Sequence, residues 1–107
     1  MPEFQQHAQP YMIVWEFHVR EGMQQQFENV YGPDGDWARL FRQAAGYLET
    51  RLGRDATLNN RYLTLDFWAS EQAFRNFEQE FAAQYKSLDR KCEGMTVREK
   101  KIGGFET

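Results

Sequence analysis

The segment Arg61-Tyr62-Leu63-Thr64-Leu65-Asp66-Phe67-Trp68, followed at once by Ala69-Ser70-Glu71, constrains this chain most. Leu63, Leu65 and Phe67 alternate with Tyr62, Thr64, Asp66 and Trp68. A period of two predicts a strand with one apolar face and one mixed face. Ser70 has a side-chain oxygen suited to cap a helix, and Glu71 falls in that helix's favourable first turn. A central strand therefore passes directly into a helix. Trp68 stands at the joint, where it would form a wall of any pocket.

The rest of the chain arranges itself around that joint. Tyr11 to Val19 reads as a first strand, with Ile13, Trp15, Phe17 and Val19 on one face and Met12, Val14, Glu16 and His18 on the other. Met23 to Tyr31 is helical, and Gly32-Pro33 breaks it, with Gly32 suited to a left-handed position and Pro33 unable to continue. Asp36 is placed to cap a second helical piece, Trp37 to Ala45. Tyr47 to Leu52 reads as a strand with Leu48 and Leu52 inward and Tyr47, Glu49 and Arg51 outward. The polar stretch Gly53 to Asn60 joins it to the central strand as a hairpin. Phe74, Phe77, Phe81, Tyr85, Leu88 and Cys92 recur at steps of three and four, which predicts one long helix from Glu71 to about Cys92. Gly94 stops it, Met95 to Ile102 makes a last strand, and Gly103-Gly104-Phe105 reads as a short tail. The order predicts an α+β, ferredoxin-like βαββαβ domain over residues 11–107, with a four-stranded antiparallel sheet. Residues 1–10 read as a loose tail in which His7 is solvated.

Composition narrows the partners. A length of 107 residues fits one domain. A net charge of −3 argues against nucleic acid or an anionic membrane surface. One cysteine, Cys92, allows neither an internal disulfide nor a Cys-rich zinc site, and its place at the end of an apolar stripe suggests a buried, inert thiol. No apolar run approaches the ~20 residues of a membrane span, and the Gln-rich start does not resemble a signal peptide, so a cytoplasmic location is expected. Nine Phe, five Tyr and three Trp exceed what one small core obviously needs, so some should line a pocket or an interface. If the mixed face carries Val14, Glu16, His18, Tyr47, Glu49, Arg51, Tyr62, Thr64, Asp66 and, at its end, Trp68, a homodimer packed sheet to sheet would cover it. The plainer alternative is a solvated sheet with cross-strand charge pairs.

With these residues placed, the chain resembles the antibiotic biosynthesis monooxygenase superfamily of dimeric α/β-barrel proteins. The resemblance runs from about Tyr11 to Phe105. It rests on Gly22 with Phe27, Tyr31-Gly32-Pro33, Gly35 with Trp37 and Leu40-Phe41, Gly46-Tyr47, Tyr62-Leu63, and Ile102-Gly103. Its most telling piece is the Trp-x-Ser-x-x-x-Phe element of Trp68, Ser70 and Phe74. It implies a homodimer with a pocket between sheet and helices, and a range of chemistries that includes cofactor-free oxygenation and heme degradation. Trp68 matches the pocket tryptophan of heme-degrading relatives. Their first-strand asparagine would fall between Ile13 and Glu16, and their helical histidine has no counterpart in Glu71 to Cys92, so no heme is expected.

The expected site follows. His18 and Trp68 are the candidate catalytic residues, and Trp37, Arg39, Tyr47 and Tyr85 the candidate substrate contacts. His18 would act as a base, alone or with Glu16 and Asp66. A lone strand histidine is more commonly a surface or interface residue, and Trp68 could equally be a packing residue. A metal site would rest on His18 and carboxylates alone, so none is expected. Gly32 to Asp36 lacks the Lys and Ser/Thr of a phosphate-binding loop and puts a carboxylate where an anion would sit. Arg98, Lys100 and Lys101 suit a guarded sheet edge. Two functions remain open. One is a cofactor-independent monooxygenase acting on a small aromatic or polyketide-like molecule. The other is a non-enzymatic small-molecule-binding or structural homodimer, favoured by the lack of a convergent acid–base set.

Overall fold

The computed structural model describes residues 9–107, so His7 and most of the expected N-terminal tail lie outside the described residues. The elements are β1 (Tyr11–Val19), α1 (Gln24–Tyr31), α2 (Asp36–Phe41), β2 (Tyr47–Arg54), β3 (Arg61–Trp68), α3 (Glu71–Glu80), α4 (Ala82–Cys92) and β4 (Thr96–Glu106). The strands form one antiparallel sheet in the order β2-β3-β1-β4. This is the ferredoxin-like arrangement, with each helical crossover made of two pieces. The sheet is open, with β2 and β4 at its edges. No helix among the described residues is long and apolar enough to cross a membrane.

The hinge from strand to helix forms as its residues predict. Ser70 takes an extended conformation, and its hydroxyl oxygen accepts from the Ala73 N–H at 3.1 Å. The expected single long helix is instead broken at Phe81, whose backbone leaves helical geometry (φ −113°, ψ 26°). The break still leaves Phe77 and Phe81 buried, stacked at 5.6 Å. β4 runs on through Gly103, Gly104 and Phe105, so the expected tail is strand. It pairs with β1 as far as Glu106 opposite Tyr11. Gly104 permits this, because a β-carbon there would collide with the Tyr11 ring. Asp36 is the first residue of α2 rather than a side-chain cap, and Gly35 precedes it. Gly32 is extended (φ −75°) rather than left-handed. It is needed for room, since a β-carbon would lie 2.7 Å from the Glu28 carbonyl oxygen.

The largest departure from expectation concerns which side of β3 is covered. Tyr62, Thr64, Asp66 and Trp68 are buried under the helices, and Leu63, Leu65 and Phe67 are only half-buried on the other side. Pairing with β1 sets this. Phe17 stands opposite Tyr62, Trp15 opposite Thr64 and Ile13 opposite Asp66, so these residues share the helix-covered face. Two of the polar groups on that face find partners there. Tyr62 donates to the Glu28 carboxylate, and Thr50 donates to Asp66. Aromatic rings from the helices close over the same face: Phe27 on Tyr62 at 4.9 Å, Phe41 on Trp68 at 5.5 Å and Phe77 on Trp68 at 5.2 Å. On β2 an irregularity between Tyr47 and Glu49 turns Tyr47 toward Trp68 and leaves Leu48 55% exposed. Thr50 takes the inward place expected of Leu48. The open face therefore carries Met12, Val14, Leu63, Leu65 and Phe67, with Glu16, His18, Glu49 and Arg51 around them.

Gly46 fixes the entry into β2. It has φ +90°, and a β-carbon would lie 2.6 Å from the Ala73 β-carbon of α3. Its carbonyl also accepts from the Ala69 N–H at 2.7 Å. Gly46→Ala is expected to cost about 1–3 kcal/mol, combining left-handed strain with the clash. Chemical denaturation of the two proteins at equal concentration checks this, and a difference near zero would show that α3 moves aside freely.

Candidate functional site

The helices do not seal the covered sheet face completely. A cavity of about 140 Å³ remains between the sheet, α2 and α4. Its sheet wall is Trp15 and Phe17 of β1 with Thr64 and Asp66 of β3, residues two apart that alternation places on one face. Tyr31, Trp37 and Phe41 form the helical wall. Tyr85 and Asp89, one turn apart on α4, complete it with Glu99 of β4. The rings brace one another: Trp37 meets Tyr85 edge-on at 4.9 Å, and Tyr31 packs on Phe17 at 4.9 Å. Their hydroxyls are shielded. Burial pushes the Tyr85 phenol up to about 12 and the Tyr31 phenol well above its ordinary value, with Cys92 adding to the latter.

Asp66 is the buried acid of this cavity. Thr50 Oγ1 donates to its Oδ1 at 2.7 Å, and Tyr47 OH lies 2.7 Å from the same Thr50 oxygen. Since the Thr50 hydrogen is committed to Asp66, Tyr47 donates to Thr50. Desolvation raises the Asp66 pKa to about 6, opposed in part by the Thr50 bond. A carboxyl group in that range is ionised at neutral pH yet basic enough to accept a proton from a bound molecule.

The expected site residues are dispersed differently. Trp37 and Tyr85 line the cavity. Tyr47 reaches it through Thr50 and Asp66. Trp68 lies behind the wall, fully buried among Phe41, Tyr47, Phe74 and Phe77, with its indole N–H unpartnered. Arg39 is on the exposed side of α2, bonded to the Asp34 carbonyl and the Asp36 carboxylate. His18 is on the open sheet face, 3.6 Å from Glu16 and 3.3 Å from Arg98. The sheet thus separates His18 and Glu16 from Asp66, and the three do not share a site. Glu16 instead holds Arg61, whose hydrogen bond keeps the Glu16 carboxyl below its ordinary value. Thr50 and Glu99 were not expected at the site. The available signal was Asp66 itself, a charge between Leu65 and Phe67 in a central strand, and it became readable only with the correct inward face.

An open ferredoxin-like sheet with an aromatic cavity on its helix-covered side and one buried carboxylate in that cavity defines an α+β domain of the ferredoxin-like class. The antibiotic biosynthesis monooxygenase family model matches residues 10–86, from β1 into α4, and the chain belongs to that family. Solved structures share the fold. SnoaB from Streptomyces nogalater, a cofactor-independent oxygenase, superposes with a TM-score of 0.69 at 22% identity, over 94% of each chain. A Bordetella bronchiseptica protein provisionally named an antibiotic biosynthesis monooxygenase gives 0.72 at 15% identity, over 94% of this chain and 98% of its own. PA3566 from Pseudomonas aeruginosa gives 0.68 at 14% identity, over 94% of this chain and 96% of its own. No curated protein sequence matches the chain significantly.

Proposed function

We propose that this protein is a cofactor-independent monooxygenase that oxidises a small aromatic or polyketide-like molecule held in the Asp66 cavity. The single observation behind this reading is Asp66, a carboxylate buried among aromatic walls with its proton affinity raised toward neutrality. Family membership supports the reaction class. Asp66, rather than His18, is the base in this reading, because the cavity and His18 lie on opposite faces of the sheet. Trp68 acts by supporting the wall.

The chemistry needs little from the protein beyond a base and a dry pocket. Asp66 removes a proton from an activated ring methylene, leaving an electron-rich carbanion. The carbanion passes one electron to O2, and recombination of the two radicals forms a carbon–oxygen bond to a peroxide. Proton return gives the hydroperoxide, and loss of water across the C–H and O–O bonds leaves a ketone. One oxygen atom enters the product and the other leaves as water, so the four-electron oxidation of carbon balances the reduction of O2. Oxygen uptake with an anthrone tests the reading. Uptake that requires folded protein and yields the quinone supports it, and an absence of uptake despite measured binding rejects it in favour of a binding protein.

The open sheet face supports a homodimer as part of the same reading. Met12, Leu63, Leu65 and Phe67 are partly exposed side by side there, a contiguous apolar strip that a second copy could cover. A second copy packed on it would close the two open sheets into a barrel. The protein is expected to sediment at twice the 12.8 kDa chain mass, and Leu65→Arg to shift it to monomer at micromolar concentration. A wild-type monomer would remove the barrel.

A further inference from the structure

The charge of the cavity is one-sided. Six of the side chains that line it are aromatic, and Asp66, Asp89 and Glu99 add three carboxylates. Among the described residues that line it, none is Lys, Arg or His. Of the β4 cations, Arg98 contacts His18 and Lys100 stands opposite Glu16, both on the open face, while Lys101, opposite Trp15, sits over the Phe74 ring at 5.6 Å and does not line the cavity. Asp66 is buried, while Asp89 and Glu99 are exposed at the mouth of the cavity. An anionic ligand would therefore meet like charge at both ends, whereas a cation would meet both carboxylates and ring faces. The carboxylates are also spread out. Asp66 is opposite Ile13 and Glu99 opposite Phe17, on strands either side of β1. Strand spacing and rise put their Cα atoms roughly 16 Å apart. Among the described residues no three acidic, His or Cys side chains converge to hold a metal ion. Asp89 and Glu99 mark one end together. Partial burial, with the Asp89 charge adding to it, holds the Glu99 carboxyl above its ordinary value, as expected of two acids facing a common space without a counter-ion.

We propose that the cavity selects an aromatic molecule carrying a protonated amine, with the reacting ring at Asp66 and the ammonium group at the Asp89 and Glu99 end. The assignment of the ring end rests on the oxygenase reading above, and the ammonium end does not. Asp66 and Glu99 both line the cavity from those positions, so a ring system carrying an aminoalkyl arm can present one group to each end. The aromatic faces of Trp37 and Tyr85, one of them adjoining Asp89 on α4, would add cation–π attraction to the ion pairing.

Three catechols of similar size separate charge from shape: dopamine as the cation, 4-ethylcatechol as the neutral compound and 3,4-dihydroxyphenylacetate as the anion. Affinities would be measured by calorimetry under nitrogen, so that binding is read apart from oxidation. Dopamine is expected to bind about tenfold or more tightly than 4-ethylcatechol, with the anion weakest. The ratio of amine to neutral affinity should fall toward one in Glu99→Gln, in Asp89→Asn, and for wild-type protein in high salt, a measurement that needs no variant to fold. Equal affinities for the three compounds, a preference for the anion, or no binding by any of them would overturn the proposal. Its failure and that of the oxygenase reading look different. A protein that oxidises an anthrone without favouring the amine loses only the proposal. A protein that binds dopamine through Glu99 and takes up no oxygen with any substrate loses only the oxygenase reading.

Discussion

Replacing Asp66 by asparagine is expected to reduce turnover of an oxidisable aromatic substrate by about 10²–10⁴-fold while making the fold more stable at neutral pH. The two effects have one cause. Burial raises the Asp66 pKa from 3.8 to about 6, so the folded state holds a charge it would rather not carry. A shift of that size is worth about 3 kcal/mol, at roughly 1.4 kcal/mol per unit. For a carboxyl raised in the folded state, the favourable contribution is fully present below the unfolded pKa. It is lost as pH rises from about 4 to about 6, and stays lost above that. Asparagine keeps the shape and an acceptor for Thr50 but never ionises. Wild-type stability should therefore fall over that interval relative to Asp66→Asn, and the variant should be the more stable by a few kcal/mol at pH 7. Activity should follow the opposite trend, with kcat/KM rising through about pH 6 in the wild type as the base is freed. Urea denaturation at several pH values and a pH–rate profile measure the two halves. A variant that is both active and no more stable would show that Asp66 is neither the base nor a strained charge.

Phe77→Ala is expected to cost about 3–5 kcal/mol, the upper range for large-to-small core changes. The Phe77 ring is 1% exposed and meets Phe41 at 5.1 Å, Trp68 at 5.2 Å and Phe81 at 5.6 Å. Those three neighbours come from α2, β3 and the break between α3 and α4, so no single element can shift to fill the space left behind. Against a typical stability of about 5–15 kcal/mol, the loss is a large fraction of the whole. Phe74→Ala, at a half-buried ring of the same helix, should cost less and serves as the comparison. Denaturation of all three proteins at matched concentration keeps any coupling to assembly equal among them. A loss below about 1 kcal/mol at Phe77 would mean that the helices can collapse onto the sheet, contrary to the close packing of these rings.

The order of elements was legible in the residues because it rests on local physics. Alternation in Tyr11 to Val19 and in Arg61 to Trp68 needs only the pleat of a strand, and the capping oxygen of Ser70 needs only the next turn of chain. The helical stripe from Phe74 to Cys92 was equally plain. Its interruption at Phe81 was not, since a stripe at steps of three and four survives a change of axis. What the sequence alone determined, then, was the element order, the ferredoxin-like arrangement and the covered face of β1. Only the tertiary structure decided which face of β3 is covered. In isolation, Leu63, Leu65 and Phe67 are the more apolar side, and burying them is the natural expectation. Pairing Tyr62 with Phe17 and Asp66 with Ile13 binds the choice to β1, whose Ile13, Trp15 and Phe17 face must go under the helices. That one register puts Asp66 in the cavity, Leu65 on the open face and His18 away from the chemistry. Register is a relation between two strands, and no property of either strand by itself contains it.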